Sequence, residues 1–339
     1  MNDLISSRKQ EHISICMDHD VEYQNLSTGF EKVLLSHCAL PEINFEDIDT
    51  TTTFLDKTLS FPLMITGMTG GHENAKKFNQ QLIEICEDEK IALGLGSQRQ
   101  ALGNDQYLES YQIVRKIAQK VPIIGNIGAA QIIAQKQRSE VHKLVESLEP
   151  DALAVHLNPL QEILQPEGDF NFKGVLNGIE KLIKLLPIPV IVKETGAGIS
   201  GAVALRLKEI GVKILDISGA GGTSWAAVEY FRTKEKEIAR KFWDWGIPTV
   251  QCLKEVSRIS GLKIIAAGGI RDGTDMAKSI VLGADLSGAA LPFLKTLIEK
   301  GPTGVKELIR VWRKEFKITM FLTGCRKIQS LKNVVFYNI

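Results

Sequence analysis

From Phe61 onward one unit recurs eight times: a short apolar run, a polar loop bearing Gly or Ser, then an amphipathic helical stretch. No other feature constrains the fold as strongly. A strand that is apolar throughout must be covered on both faces, and helices packed on a parallel sheet provide that cover. Strands are expected at 62–66, 91–96, 121–125, 151–156, 189–193, 213–217, 263–267 and 285–288. Helices are expected between them at 73–90, 105–119, 132–148, 172–186, 200–210, 247–260 and 273–282. Strands alternating with helices at this spacing make βαβ units. Eight units in roughly 230 residues fit a closed (β/α)8 TIM barrel. Helices in 294–300 and 304–313 would finish the last unit. A doubly wound open sheet fits less well, because no GxGxxG follows the first strand.

Two regions depart from the rhythm. Residues 1–60 are polar and weakly periodic, and read as an N-terminal arm and excursion packed on the barrel of 61–339, one domain overall. Residues 220–261, between strands six and seven, form a long insertion with three of the four tryptophans. A loop of that length in a barrel is usually a lid or a subunit contact. The 41 Lys and Arg nearly balance the 40 Asp and Glu, a formal net charge of +1. That argues against nucleic-acid binding through bulk charge. The five cysteines have no CxxC spacing and read as buried thiols in a reducing compartment. The first residues carry no apolar signal core, and no apolar run is long enough to span a membrane. A cytoplasmic protein with no membrane partner is expected.

Barrels carry their sites at the C-terminal ends of the strands. Here nearly every strand ends in hydrogen-bonding groups. Strand one leads into Met68 and Thr69, strand two into Ser97, Gln98 and Arg99, and strand three into Asn126. Strand four gives His156, Asn158, Gln161 and Glu162, and strand five ends on Lys193. Strands six, seven and eight give Ser218 to Thr223, Gly268 to Arg271, and Gly288 to Ala290. Any one of these could be ordinary turn chemistry; eight together could not.

The glycines after strand seven let the backbone approach a phosphate, and helix N-termini after strands seven and eight would aim N–H groups at it. Arg271 can add a charge-assisted bond. Lys193 either snorkels to solvent or sets a cation at the barrel mouth, where it would balance charge on an anionic ligand such as a reduced flavin. Glu162 is either a solvated carboxylate or an oxygen ligand for Mg²⁺, which needs few carboxylates when phosphate completes its shell. His156 is a general acid or base, a donor to a ring, or a satisfied histidine at a strand end. Arg8 and Lys9 alone would be a solvated pair.

Taken together the strand ends resemble the FMN-dependent type 2 isopentenyl-diphosphate Delta-isomerases. The matching stretches include Arg8-Lys9-Gln10-Glu11-His12, Met68-Thr69-Gly70-Gly71, Gly96-Ser97-Gln98-Arg99 and His156-Leu157-Asn158-Pro159-Leu160-Gln161-Glu162. Others are Val192-Lys193-Glu194, Ser218 to Trp225, Trp243 to Thr249 and Gly268-Gly269-Ile270-Arg271, so the likeness runs over essentially the whole chain. The resemblance implies a barrel that interconverts isopentenyl and dimethylallyl diphosphate in isoprenoid biosynthesis. It implies FMN in its reduced form, Mg²⁺, and NADPH as reductant. By motif, Met68, Thr69, Ser97, Asn126, Lys193, Ser218, Thr223, Gly269, Arg271, Ala289 and Ala290 would hold FMN. Arg8, Lys9, Ser97, Gln98, Arg99, His156, Asn158 and Gln161 would surround the substrate, and Glu162 would bind Mg²⁺. The family tends to form homotetramers or homo-octamers.

The implied reaction adds a proton at one carbon and removes one at another, with no net oxidation. Gln161 and His156 are expected to position or relay that proton to and from the reduced flavin. Residues 1–20 and 224–245 are expected to order only as they close over the diphosphate. A 2-hydroxy-acid oxidase would need a histidine near strand seven, and no histidine follows His156. An inosine-monophosphate dehydrogenase would need a cysteine after strand six, where Gly221-Gly222-Thr223 stands. A non-catalytic flavin-binding barrel would have no use for Gln161, Glu162 and the cations.

Overall fold

The computed structural model describes residues 2–68, 75–102 and 107–338. Eight short parallel strands close a barrel: β1 (Leu63–Ile65), β2 (Ala92–Gly94), β3 (Ile123–Gly128), β4 (Ala152–Leu157), β5 (Val190–Glu194), β6 (Ile214–Asp216), β7 (Lys263–Ala266) and β8 (Leu286–Ala289). The ring shuts where Ala289 pairs with Ile65. Every expected strand is present, with ends shifted by no more than three residues. β3 is the longest departure, running on through Asn126 to Gly128.

The helices cover the barrel through the apolar face that their spacing dictates. In Ala75–Glu89 the buried positions are Ala75, Asn79, Leu82, Ile83, Ile85 and Cys86, one stripe of the helix. After β8 a helix spans Leu291–Leu322, with a break at Gly301, whose φ of 65° and following Pro302 interrupt the hydrogen-bond ladder. The second half runs nine residues beyond the expected end at 313, because Phe316 and Met320 continue its buried face.

The barrel's N-terminal end is plugged by a hairpin, Thr52–Phe54 with Lys57–Leu59. Phe54 and Leu59 are fully buried against Met64, Ile124, Ile191, Ile265 and Leu286 of the strands. Val33–Leu35 pairs antiparallel with Phe336–Asn338.

At the other end the arm forms a helix, Asn2–Asp18, and the insertion forms helices Trp225–Tyr230 and Lys236–Lys241. Both segments are docked over the mouth, the closed arrangement expected of 1–20 and 224–245. Ile15, Cys16 and Val21 of the arm bury against Ala227, Val228, Trp243, Leu291 and Leu294. That apolar contact, with Ser224 capping its helix through the Ala227 N–H, offsets the cost of ordering the two segments. No helix among the described residues is long and apolar enough to cross a membrane.

Candidate active site

The strand C-termini open into a cavity of ≈ 230 Å³, with a smaller one of ≈ 20 Å³ beneath it, inside the barrel. Arg8, Lys9, Met68, Ser97, Arg99, Asn126, His156, Asn158, Gln161, Glu162, Lys193, Ser218, Thr223, Gly269, Arg271, Ala289 and Ala290 all line the larger cavity. Thr69 lies outside the described residues. Gln98 is a correction: it is 1% exposed and does not line the cavity. Its Oε1 accepts the Asn126 N–H at 2.8 Å, so it sits behind the wall as a support for β3.

The floor suits a phosphate and a planar ring. Gly222 and Gly269 bring two loops into contact; a Cβ on Gly222 would lie 2.5 Å from the Gly269 nitrogen. Only glycine permits this close approach. Ala290 starts the helix Leu291–Leu322 and offers no side-chain cap, so its first N–H groups are free for an anion. The expected second helix N-terminus does not serve. Asp272 caps helix Gly273–Val281 through the Asp275 N–H, and Glu315 accepts the Gly273 N–H. Arg271 donates to Glu22 Oε1 at 2.5 Å. This cradle, with Lys193 below it, is a set of donors and cations that fits FMN.

His156 is deeply buried. Burial, followed by the cations Lys193, Lys9, Arg8 and Arg99, pulls its pKa down to about 3. Its Nδ1 lies 2.8 Å from Asn126 Oδ1. Asn126 Nδ2 is committed to the Leu95 carbonyl at 3.0 Å, so the network assigns the proton to Nδ1 and leaves Nε2 an acceptor. An imidazole of this kind accepts a hydrogen bond at Nε2.

Glu162 lies in a short helix, Pro159–Leu164. Its carboxylate accepts from Asn158 Nδ2 at 3.1 Å, Gln165 Nε2 at 2.5 Å and the Asp169 N–H at 2.7 Å. Among the described residues no group of three or more His, Cys, Asp or Glu could hold a metal. A lone preorganised carboxylate still fits Mg²⁺, which takes most of its shell from water and phosphate.

The roof comes from the arm. Lys9 Nζ donates to the Ser97 carbonyl at 2.6 Å, and burial beside Arg8 pulls its pKa down to about 7. Arg8 Nε is buried without a hydrogen-bond partner. With Arg99 these cations gather on one side of the cavity, where Glu167 meets Arg8 at 3.7 Å, and the surplus positive charge would attract an anion.

Glu229 and Arg232 had no signal in the sequence, and Trp225 had one only as the end of the Ser218 to Trp225 stretch. Glu229, fully buried, meets His12 Nε2 at 3.0 Å, Arg232 at 2.6 Å and Gln161 Nε2 at 3.4 Å. Trp225 lines the cavity and meets the His12 ring edge-on at 5.1 Å. Arg232 also donates to Glu11 and Glu167. A glutamate and an arginine in a highly charged insertion look like surface residues until the arm is placed against them.

A closed parallel barrel with a glycine phosphate cradle and a lysine under it defines a class, the FMN-type (β/α)8 barrels. Comparison with known proteins agrees. Residues 168–338 match the FMN-dependent dehydrogenase family. A mandelate oxidase with bound benzoyl-formic acid superposes at a TM-score of 0.68 over 99% of this chain and 97% of its own, at 13% identity, a likeness of fold alone. The chain is 43% identical over 331 residues to the isopentenyl-diphosphate delta-isomerase of a Nostoc species, covering 96% of this chain and 94% of the relative. It is 47% identical over 337 residues to that of Pyrococcus horikoshii, covering 96% and 90%. The chain belongs to the isopentenyl-diphosphate delta-isomerase family, and its class of reaction is an isomerisation.

Proposed function

We propose that the site works in two storeys, with FMN on the floor and the diphosphate substrate under the arm. The observation that carries this is the convergence of Arg8, Lys9 and Arg99 on the same cavity as Lys193, Gly269 and Arg271. Met68, Thr69, Ser97, Asn126, Lys193, Ser218, Thr223, Gly269, Arg271, Ala289 and Ala290 are assigned to FMN, and Glu162 to Mg²⁺. Arg8, Lys9, Arg99 and the Mg²⁺ would clamp the diphosphate, so binding energy far from the double bond orients the reacting carbons.

When bound, reduced FMN would supply an electron-rich ring able to stabilise developing positive charge on the alkene. The chain's own part is to hold, orient and exclude water. Asn158 Nδ2 donates to Gln161 Oε1 at 2.9 Å, and Gln161 Nε2 reaches Glu229. That chain fixes Gln161 at the cavity wall and connects it to a buried carboxylate, which supports Gln161 as the positioning element of the proton path. His156 would contribute its Nε2 lone pair as an acceptor. Trp225 and Met68 would keep the site dry.

NADPH as the reductant, a cytoplasmic location and a homotetramer or homo-octamer belong to the same reading. The insertion supports a subunit contact, since Trp245 is 62% exposed and Ile238 47%. The test is an anaerobic incubation with isopentenyl diphosphate, Mg²⁺ and either oxidised or dithionite-reduced FMN, read by NMR. Dimethylallyl diphosphate formed only with reduced FMN, without consumption of reductant, supports the reading. Reduced FMN bound with no product overturns it.

A further inference from the structure

Beneath the floor, one group has no task in the reading above. Asp216 ends β6, is 1% exposed, and lines the ≈ 20 Å³ cavity together with Lys193 and Asn126. Its Oδ1 accepts two bonds from Ser218, from the hydroxyl at 2.8 Å and from the N–H at 3.1 Å. Ser218 needs that grip, because its φ of +32° places a non-glycine residue in the left-handed region. The other oxygen, Oδ2, makes no hydrogen bond and lies 3.9 Å from Lys193 Nζ. Lys193 Nζ itself donates to the Glu194 carbonyl at 2.5 Å.

We propose that Asp216 is a positioning residue for the flavin: it holds the Lys193 ammonium and offsets its charge, so that a paired rather than a bare cation faces the ring. This rests on the reading that FMN lies over Lys193. Burial raises the Asp216 pKa, while Lys193 and Ser218 act to lower it. The two Ser218 bonds and the facing ammonium compensate part of the cost of burying the carboxylate.

The charge matters because of what reduction does. Oxidised FMN takes up two electrons and one proton to give an anion, and a second proton gives the neutral form. A bare buried lysine favours the anion and raises the potential, since a cation at close range in a desolvated site is barely screened. That would suit an oxidase. An allylic shift neither gains nor loses electrons, but it needs a ring that keeps a proton to lend. A lysine whose charge is offset by Asp216 leaves the ring more basic.

The experiment is the midpoint potential of bound FMN, measured anaerobically with dithionite against reference dyes, for wild type, Asp216→Asn, Lys193→Gln and the double variant. At a fixed dye ratio, Asp216→Asn should raise the reduced-to-oxidised ratio at least tenfold, about 30 mV for a two-electron couple. Lys193→Gln should lower it tenfold or more, and the double variant should return to within about threefold of wild type. If Asp216→Asn does not fold, Asp216→Ser, which removes the same charge, carries the measurement. An unchanged potential in the folded variant that lacks the Asp216 charge overturns the inference. A wild-type protein that binds no FMN overturns the reading beneath it, and the flavin spectrum of each variant separates the two.

Discussion

Arg232 is the bolt of the closed site, and Arg232→Gln is the change that tests it. One guanidinium, 7% exposed, joins the insertion (Glu229 at 2.6 Å), the arm (Glu11 at 2.8 Å) and the loop after β4 (Glu167 at 2.7 Å). Glu229 is fully buried, whereas Glu11 and Glu167 are half exposed. The buried charge-assisted bond contributes about 2 kcal/mol and the exposed pairs about 0.5 kcal/mol each. The total, roughly 3 kcal/mol, is about two powers of ten in an equilibrium. If that energy sits in docking of the arm, the closed fraction falls, and the apparent affinity for isopentenyl diphosphate falls with it by up to a hundredfold. The expected result is a KM raised by one to two decades at a kcat within threefold, with proteolysis in residues 8–20 correspondingly faster. Glu11→Gln and Glu167→Gln should each move KM less than about fivefold. A lowered urea midpoint with unchanged KM and unchanged arm cleavage would refute the reasoning, because the energy would then belong to global folding.

Other outcomes follow from the same geometry. Phe54→Ala empties the plug and should cost about 3–5 kcal/mol in urea unfolding, with the flavin spectrum of the remaining folded protein unaltered. Gly222→Ala drives a Cβ against the Gly269 nitrogen, and FMN affinity by fluorescence quenching should fall at least tenfold while the far-ultraviolet dichroism is kept. Glu162→Gln should raise the Mg²⁺ concentration for half-maximal activity at least tenfold; an unchanged Mg²⁺ titration removes Glu162 from the metal. Docked Lys9 titrates near 7 against an ordinary 10.5, so between those values the undocked arm holds more protons than the docked one. Docking without substrate should therefore strengthen as pH rises through 7–10.5 and be weakest below 7. Arm cleavage normalised to a control peptide should slow accordingly, and Lys9→Met should flatten the profile.

The barrel was legible because each strand is an apolar run and each helix a stripe, and both patterns are local. The strand-end residues followed from the fold, since a parallel barrel delivers all eight C-termini to one place. What stayed hidden depends on distant partners. The arm helix turns polar Lys9 and His12 toward the cavity, so its inward face carries too little apolar surface to show a period. The hairpin 52–59 turns through Leu55 and Asp56 at φ of 48° and 59°, without the Asn-Gly pair that usually marks such a turn. The resemblance assigned Gln98 to the substrate together with Ser97 and Arg99, but only those two line the cavity, while Gln98 turns behind the wall to accept the Asn126 N–H.

The hairpin plug and the strand Val33–Leu35 impose an order of events. Both lie in the first sixty residues, so both leave the ribosome before any of the surfaces that receive them. Phe54 needs Ile265 and Leu286, and Val33–Leu35 needs Phe336–Asn338, some 300 residues later by the paired register. Contacts of such sequence separation form late and slowly. Until β8 arrives to meet β1, the nascent chain carries Phe54, Leu59 and an open strand edge to solvent, which makes the interval of synthesis, more than the finished molecule, the time of greatest exposure to aggregation.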